Sequence, residues 1–143
     1  MFQEAIQVEI SPGELVDRLT ILEIKAARIP PGAKRQRVEA ELRRLCAARA
    51  AVWGTHPSPE LLRLAAALRA INESLWEVED QLRVCERDQE FGPRFIQLAR
   101  SVYQQNDRRA DLKNQINRWL GSPLREEKSY DGEQGQRGAG FAD

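Results

Sequence analysis

The sequence predicts an all-α fold: an up-down helical bundle of about four helices, with helices three and four forming a long antiparallel, coiled-coil-like hairpin. Three observations predict it. Apolar residues recur at alternating steps of three and four through most of the first 120 positions. Pro and Gly cluster between those stretches, where helices start and stop. Charged residues make up 31% of the chain, which suits long helices with solvated faces. Strand-like alternation occurs only at Gln7-Val8-Glu9-Ile10, a brief extended segment too short to make a sheet.

The first helix opens at Ser11, with Pro12 at N1, where a missing N–H costs nothing. Ser11 and Glu14 have capping-box spacing, and Ile10 and Leu15 are placed as a hydrophobic staple. Leu15, Leu19, Leu22, Ala26 and Ile29 make one apolar stripe, and Pro30-Pro31-Gly32 ends it. The second helix covers about 34–53, with Val38, Leu42, Leu45 and Val52 facing inward, and stops at Gly54. The third starts at Ser58 and Pro59 and runs to about Arg87. Its residues Leu61, Leu64, Leu68, Ile71, Leu75, Val78, Leu82 and Cys85 form an unbroken heptad-like seam. The fourth starts at Pro93 and runs to about Leu120. Phe95, Leu98, Val102, Leu112, Ile116 and Leu120 form its stripe, and Gly121 is its C′ residue. The short link at 88–92 makes helices three and four antiparallel neighbours. Residues 1–121 read as one domain, and 122–143 as a polar, glycine-rich C-terminal tail that is largely disordered.

Twenty-two basic residues balance twenty-two acidic ones in 143 positions, so net charge offers no drive toward nucleic acid or an anionic membrane. The basic clusters at 34–37 and 43–44 read as a solvated face of helix two. No apolar run is long enough to span a bilayer, and the first residues lack signal-peptide character, so the expected location is cytoplasmic. Cys46 and Cys85 fall inside helices and read as reduced, buried residues.

Little here looks like a catalytic device. The single histidine, His56, sits in a Pro-rich loop, and no zinc-ligand spacing or phosphate-binding glycine loop occurs. No metal and no cofactor are therefore expected. Glu79 and Arg83 have the spacing of an ordinary surface ion pair.

Two polar columns stand out. On helix three Asn72, Trp76, Glu79, Arg83 and Glu86 run one residue beyond the apolar seam. On helix four Tyr103, Asn106, Ala110, Lys113 and Asn117 keep the same rhythm. Antiparallel pairing sets Asn72–Glu79 opposite Tyr103–Arg109. Asn72, Trp76, Glu79, Asn106, Arg109 and Lys113 then line one groove. Asp17, Thr20 and Glu23 of helix one, at three-residue spacing, can add to it. Such a groove suits a polar ligand or partner; a satisfied polar layer that fixes helix register is the competing reading.

Four blocks resemble an uncharacterised family of small bacterial helical proteins, described as a domain of unknown function. They are ISPGELVDRLTILEIK from Ile10, INESLWEVED from Ile71, NDRRADLK from Asn106 with Ile116 and Asn117, and EEKSY from Glu126. The resemblance covers most of residues 6–130. It falls on Asp17, Thr20, Glu23, Lys25, Asn72, Trp76, Glu79, Asp80, Asn106, Asp107, Arg109, Lys113 and Asn117. It implies no activity. Its one contextual implication is an accessory role near surface-polysaccharide or glycosyl-transfer pathways.

The expected function is a non-enzymatic interaction or assembly module, pairing with a second copy through helix two or with a partner helix. The alternative is a binding protein or enzyme for a small anionic metabolite such as a sugar nucleotide. Asp17 or Glu79 would then be the acid/base group, and Arg109 and Lys113 the anion contacts.

Overall fold

The computed structural model describes residues 4–124, 126 and 127. Four helices follow in order: α1 (Pro12–Arg28), α2 (Ala33–Trp53), α3 (Pro59–Arg87) and α4 (Pro93–Trp119). No strand occurs among the described residues, and Gln7–Ile10 belongs to no regular element. The disorder expected of the tail lies outside the described residues, apart from its first few positions.

The caps follow from local chemistry. Ser11 Oγ accepts the Glu14 N–H and Ser58 Oγ accepts the Leu61 N–H, each at 3.1 Å. The reciprocal half of the capping box is not made. The Glu14 carboxylate turns away to Arg18 at 3.1 Å and to Lys113 at 2.7 Å, because charged partners outcompete a backbone N–H. At the end of α4, Gly121 takes φ +67°, and the N–H groups of Gly121 and Ser122 close on Arg118 and Asn117. That is a Schellman motif. The end of α3 makes the same motif with Gln89 at φ +55°, the only described non-glycine residue at positive φ.

α3 and α4 pack antiparallel, and α1 lies against both. α2 packs chiefly on α1. α1 is therefore enclosed on three sides, and its burial exceeds the single predicted stripe: Val16, Asp17, Thr20 and Ile24 are buried beside Leu15, Leu19 and Leu22. A buried apolar cluster joins Val16 to Leu61, Leu64, Leu68 and Ile116. Each such side chain contributes about 1.5–3 kcal/mol on leaving water.

α1 is about 25 Å long and α3 about 43 Å, at 1.5 Å per residue. The mismatch divides the α3–α4 hairpin. In its proximal half Leu61, Leu64, Leu68 and Ile71 are buried under α1. α1 ends at Arg28, whose side chain pairs with Glu73 and Glu77, and in the distal half Val78 and Leu82, like Leu75 beside them, are only half-buried. Cys85 is fully buried between the two helices near the tip, where Phe91 and Phe95 stack edge to face at 5.3 Å.

Two sequence expectations are corrected. α2 has no buried residue: Val38, Leu42 and Leu45 are half-buried and Val52 is exposed, because one neighbouring helix covers one face only. Cys46, on that helix, is likewise half-buried; it and Cys85 are free thiols.

Candidate functional site

A groove of about 380 Å³ opens where the distal half of the hairpin emerges from under α1. Asn72, Leu75, Trp76, Glu79, Asp80 and Arg83 of α3 line it, with Asn106 and Arg109 of α4 and Ile21 of α1. Its size falls within the range of small-molecule sites. Of the predicted site residues, Asn72, Trp76, Glu79, Asn106 and Arg109 meet here.

The floor of the groove is held by a buried polar network centred on Asp17, which is 1% exposed. Arg109 donates from Nε to Oδ1 at 2.8 Å and from Nη2 to Oδ2 at 2.5 Å, a bidentate fork. Asn72 donates from Nδ2 to Asp17 Oδ1 and to Thr20 Oγ1, both at 2.8 Å. Thr20 in turn donates to the Asp17 carbonyl at 2.8 Å. The three helices that share the groove are thus pinned at one carboxylate.

Below Asp17 the network continues through Lys113, which is buried. Its Nζ lies 2.7 Å from Glu14, 2.6 Å from Glu126 and 3.9 Å from Asp17. Burial alone would lower the Lys113 pKa, but hydrogen bonds to Glu126 and Glu14 and the charge of Asp17 outweigh it, and the net shift is upward. For Glu14, burial pushes upward while Lys113 and Arg18 pull harder downward, so its carboxyl titrates below the usual range. The bidentate bond to Asp17 raises the Arg109 pKa, against an opposing effect of burial.

At the base of the network α1 and α4 touch through their backbones. Asn117 Oδ1 accepts the Gly13 N–H at 2.7 Å, and a Cβ built on Gly13 would lie 2.3 Å from the Lys113 carbonyl oxygen. Only glycine permits that approach. The amide nitrogen of Asn117 is buried and finds no acceptor among the described residues.

The remaining predicted residues lie elsewhere. Asp17, Thr20, Lys113 and Asn117 form the network beneath the groove and do not line it. Asp17 and Lys113 are already saturated by protein partners, so neither is available as an acid/base group or an anion contact. Glu23 pairs with Arg69 and, at 3.9 Å, with Arg49 in a separate cleft beside Trp53. The reason is rotational: each three-residue step turns back by about 60°, so Glu23 sits about 120° from Asp17 around α1. Lys25, half-buried on α1, does not line the groove. Arg83 pairs with Asp80 at 3.3 Å, not with Glu79.

Sequence reasoning missed Ile21 and Leu75 as groove walls, although Ile21 lies one turn beyond Asp17, about 40° around the helix. It also missed Glu14 and Glu126 as partners of Lys113. Glu126 is anchored by Asn114, whose side chain exchanges two hydrogen bonds with its backbone at 2.9 and 3.0 Å. No helix among the described residues is long and apolar enough to cross a membrane. Nor do they contain a group of three His, Cys, Asp or Glu placed to hold a metal ion. Compared with family models, curated proteins and solved structures, the chain matches none.

Proposed function

We propose that this chain is a non-enzymatic binding module, and that the groove between α3 and α4 receives a small polar ligand through an anionic group placed on Arg109. One observation carries the reading: Arg109 and Asn72 are fixed from behind by Asp17 yet line an open groove in front. A guanidinium already held in place loses little freedom on binding, so its remaining N–H groups are preorganised donors. The Trp76 indole gives the ligand an apolar wall. The blocks that resemble the bacterial family contribute most of these residues, which supports reading the groove as their shared purpose. An accessory role in polysaccharide or glycosyl-transfer pathways fits such a ligand.

The test is a thermal-shift screen of anionic metabolites. At a hundredfold excess over Kd a ligand stabilises by about 2.7 kcal/mol, a readily measured rise in Tm. The expected result is a hit whose shift disappears in Trp76→Ala. If no anion raises the Tm of the full chain, the reading fails.

A second reading is self-assembly through α2. It is favoured by that helix having no buried residue, with Val52 44% exposed and Leu62 of α3 48% exposed. Sedimentation equilibrium decides it: a strict monomer at high concentration removes assembly.

A further inference from the structure

We infer that the occupant of the groove is an extended dipolar molecule, with its anionic group at Arg109 and a cationic nitrogen about 10 Å away between Trp76 and Glu79. The inference rests on the reading that the groove binds an anion at Arg109, and adds what lies at the other end.

Four charged side chains line the groove: Arg109 stands at one end, and Glu79, Asp80 and Arg83 lie together toward the other. Arg109 stands level with Asn72, because Asp17 bonds both. Its Nε and Nη2 point back at Asp17, leaving Nη1 for the groove. Asn72 commits both amide protons to Asp17 and Thr20, so it turns its carbonyl oxygen the other way. This end recognises an acceptor group carrying negative charge, with one donor beside it.

The far end has the opposite character. Glu79 is seven residues along α3 from Asn72, about 10 Å at 1.5 Å per residue. Asp80 and Arg83 satisfy each other at 3.3 Å. Glu79 pairs with no described residue. One turn before it stands Trp76, half-buried, with its ring in the groove wall. A carboxylate next to an indole is a site for an ammonium group, held by charge and by the face of the ring. With Asp80 paired to Arg83, a ligand with a second negative charge at this end would meet the Glu79 carboxylate and be repelled. A neutral end would leave the Glu79 charge uncompensated as water is displaced.

Triglycine is a suitable probe, since three extended residues set its ammonium and carboxylate about 10 Å apart. N-acetyl-triglycine lacks the cation, and triglycine amide lacks the anion. Binding of each to the full chain is followed by 1H–15N NMR at the Trp76 indole N–H, identified with Trp76→Phe. The expected result is saturable binding of triglycine at least tenfold tighter than either blocked form. Glu79→Gln, at an exposed position with an unchanged urea midpoint, should erase the advantage over N-acetyl-triglycine and leave that peptide's own binding unaltered. Equal binding of triglycine and N-acetyl-triglycine would overturn the dipolar inference while the anion site stands. Equal binding of triglycine and its amide would overturn the anion site as well. A spectrum that no probe perturbs overturns the inference; the metabolite screen then decides the anion site separately.

Discussion

The two halves of the α3–α4 hairpin are built from one continuous apolar seam and end in different states. In the proximal half, α1 closes over the seam, and polar residues at the junction are driven inside, where each must find a partner. Asp17, Asn72, Thr20, Arg109 and Lys113 do so at the expense of their own freedom. In the distal half only the end of α1, through Ile21 and Arg28, reaches the hairpin, and Leu75, Val78 and Leu82 stay half-buried. There Trp76, Glu79 and Asn106 of the polar columns line a groove. How far a third helix covers a hairpin thus decides whether its polar stripe is buried as scaffold or left lining a groove.

The largest expected effect breaks the proximal half. Asp17→Ala leaves Arg109 and Lys113 without their shared carboxylate in a buried setting. Removing one partner of such a group costs about 3–5 kcal/mol. Urea denaturation should show a midpoint loss of that order, and loss of any groove binding with it. A cost below about 1 kcal/mol would mean that the network is solvated and the two halves are alike. Next comes Gly13→Ala. An alanine at an exposed helical position ordinarily stabilises by up to about 1 kcal/mol over glycine. Here the added carbon meets the Lys113 carbonyl, so a loss of about 1–3 kcal/mol is expected from overpacking. The sign of the measured change distinguishes the two.

Titration probes the proximal half more gently. The Glu14 pKa is lowered on folding, so its contribution is complete above the unfolded value of 4.5 and is lost as pH falls through the folded value. The Lys113 pKa is raised, so its contribution is complete below 10.5 and is lost as pH rises through the folded value. Stability against pH should be flat between these limits and fall outside both. Glu14→Gln should flatten the acid limb, and an acid limb unchanged in that variant would remove Glu14 from the account. The smallest effect lies at the distal tip. Gln89→Gly relieves a left-handed backbone position but gives up the bond from Gln89 Nε2 to the Glu86 carbonyl at 2.8 Å. A gain of at most about 1 kcal/mol is expected. A net loss would show that the side-chain bond is worth more than the strain.

Helix ends were legible in the residues because each end is decided locally. Ser11-Pro12 and Ser58-Pro59 start helices by capping and fixed φ, and Gly121 ends one by taking a left-handed conformation. The groove was partly legible for the same reason: a polar column with helical rhythm must share a face wherever the helix lies. What could not be read was anything set by a third neighbour. Val16 and Ile24 are buried because α1 is enclosed on three sides, and no period in α1 itself specifies that. Glu14 had two outlets, its own cap and Lys113 across the bundle; only the docked helices bring the second within reach. Glu23 was misplaced by treating a shared stripe as a shared direction, although the stripe winds away toward α2.

The Gly13–Asn117 hydrogen bond spans 104 positions of chain. The α3–α4 hairpin needs only a five-residue link to form, and α1 joins α2 through a similarly short turn. Contacts between the two hairpins carry the higher entropic cost of closure, so they are expected to form late in folding. The groove takes all but one of its lining residues from α3 and α4, and Asp17 of α1 fixes Asn72 and Arg109 among them. The groove therefore takes this shape only once the hairpins have docked, and any occupant would act as a clamp that slows their separation.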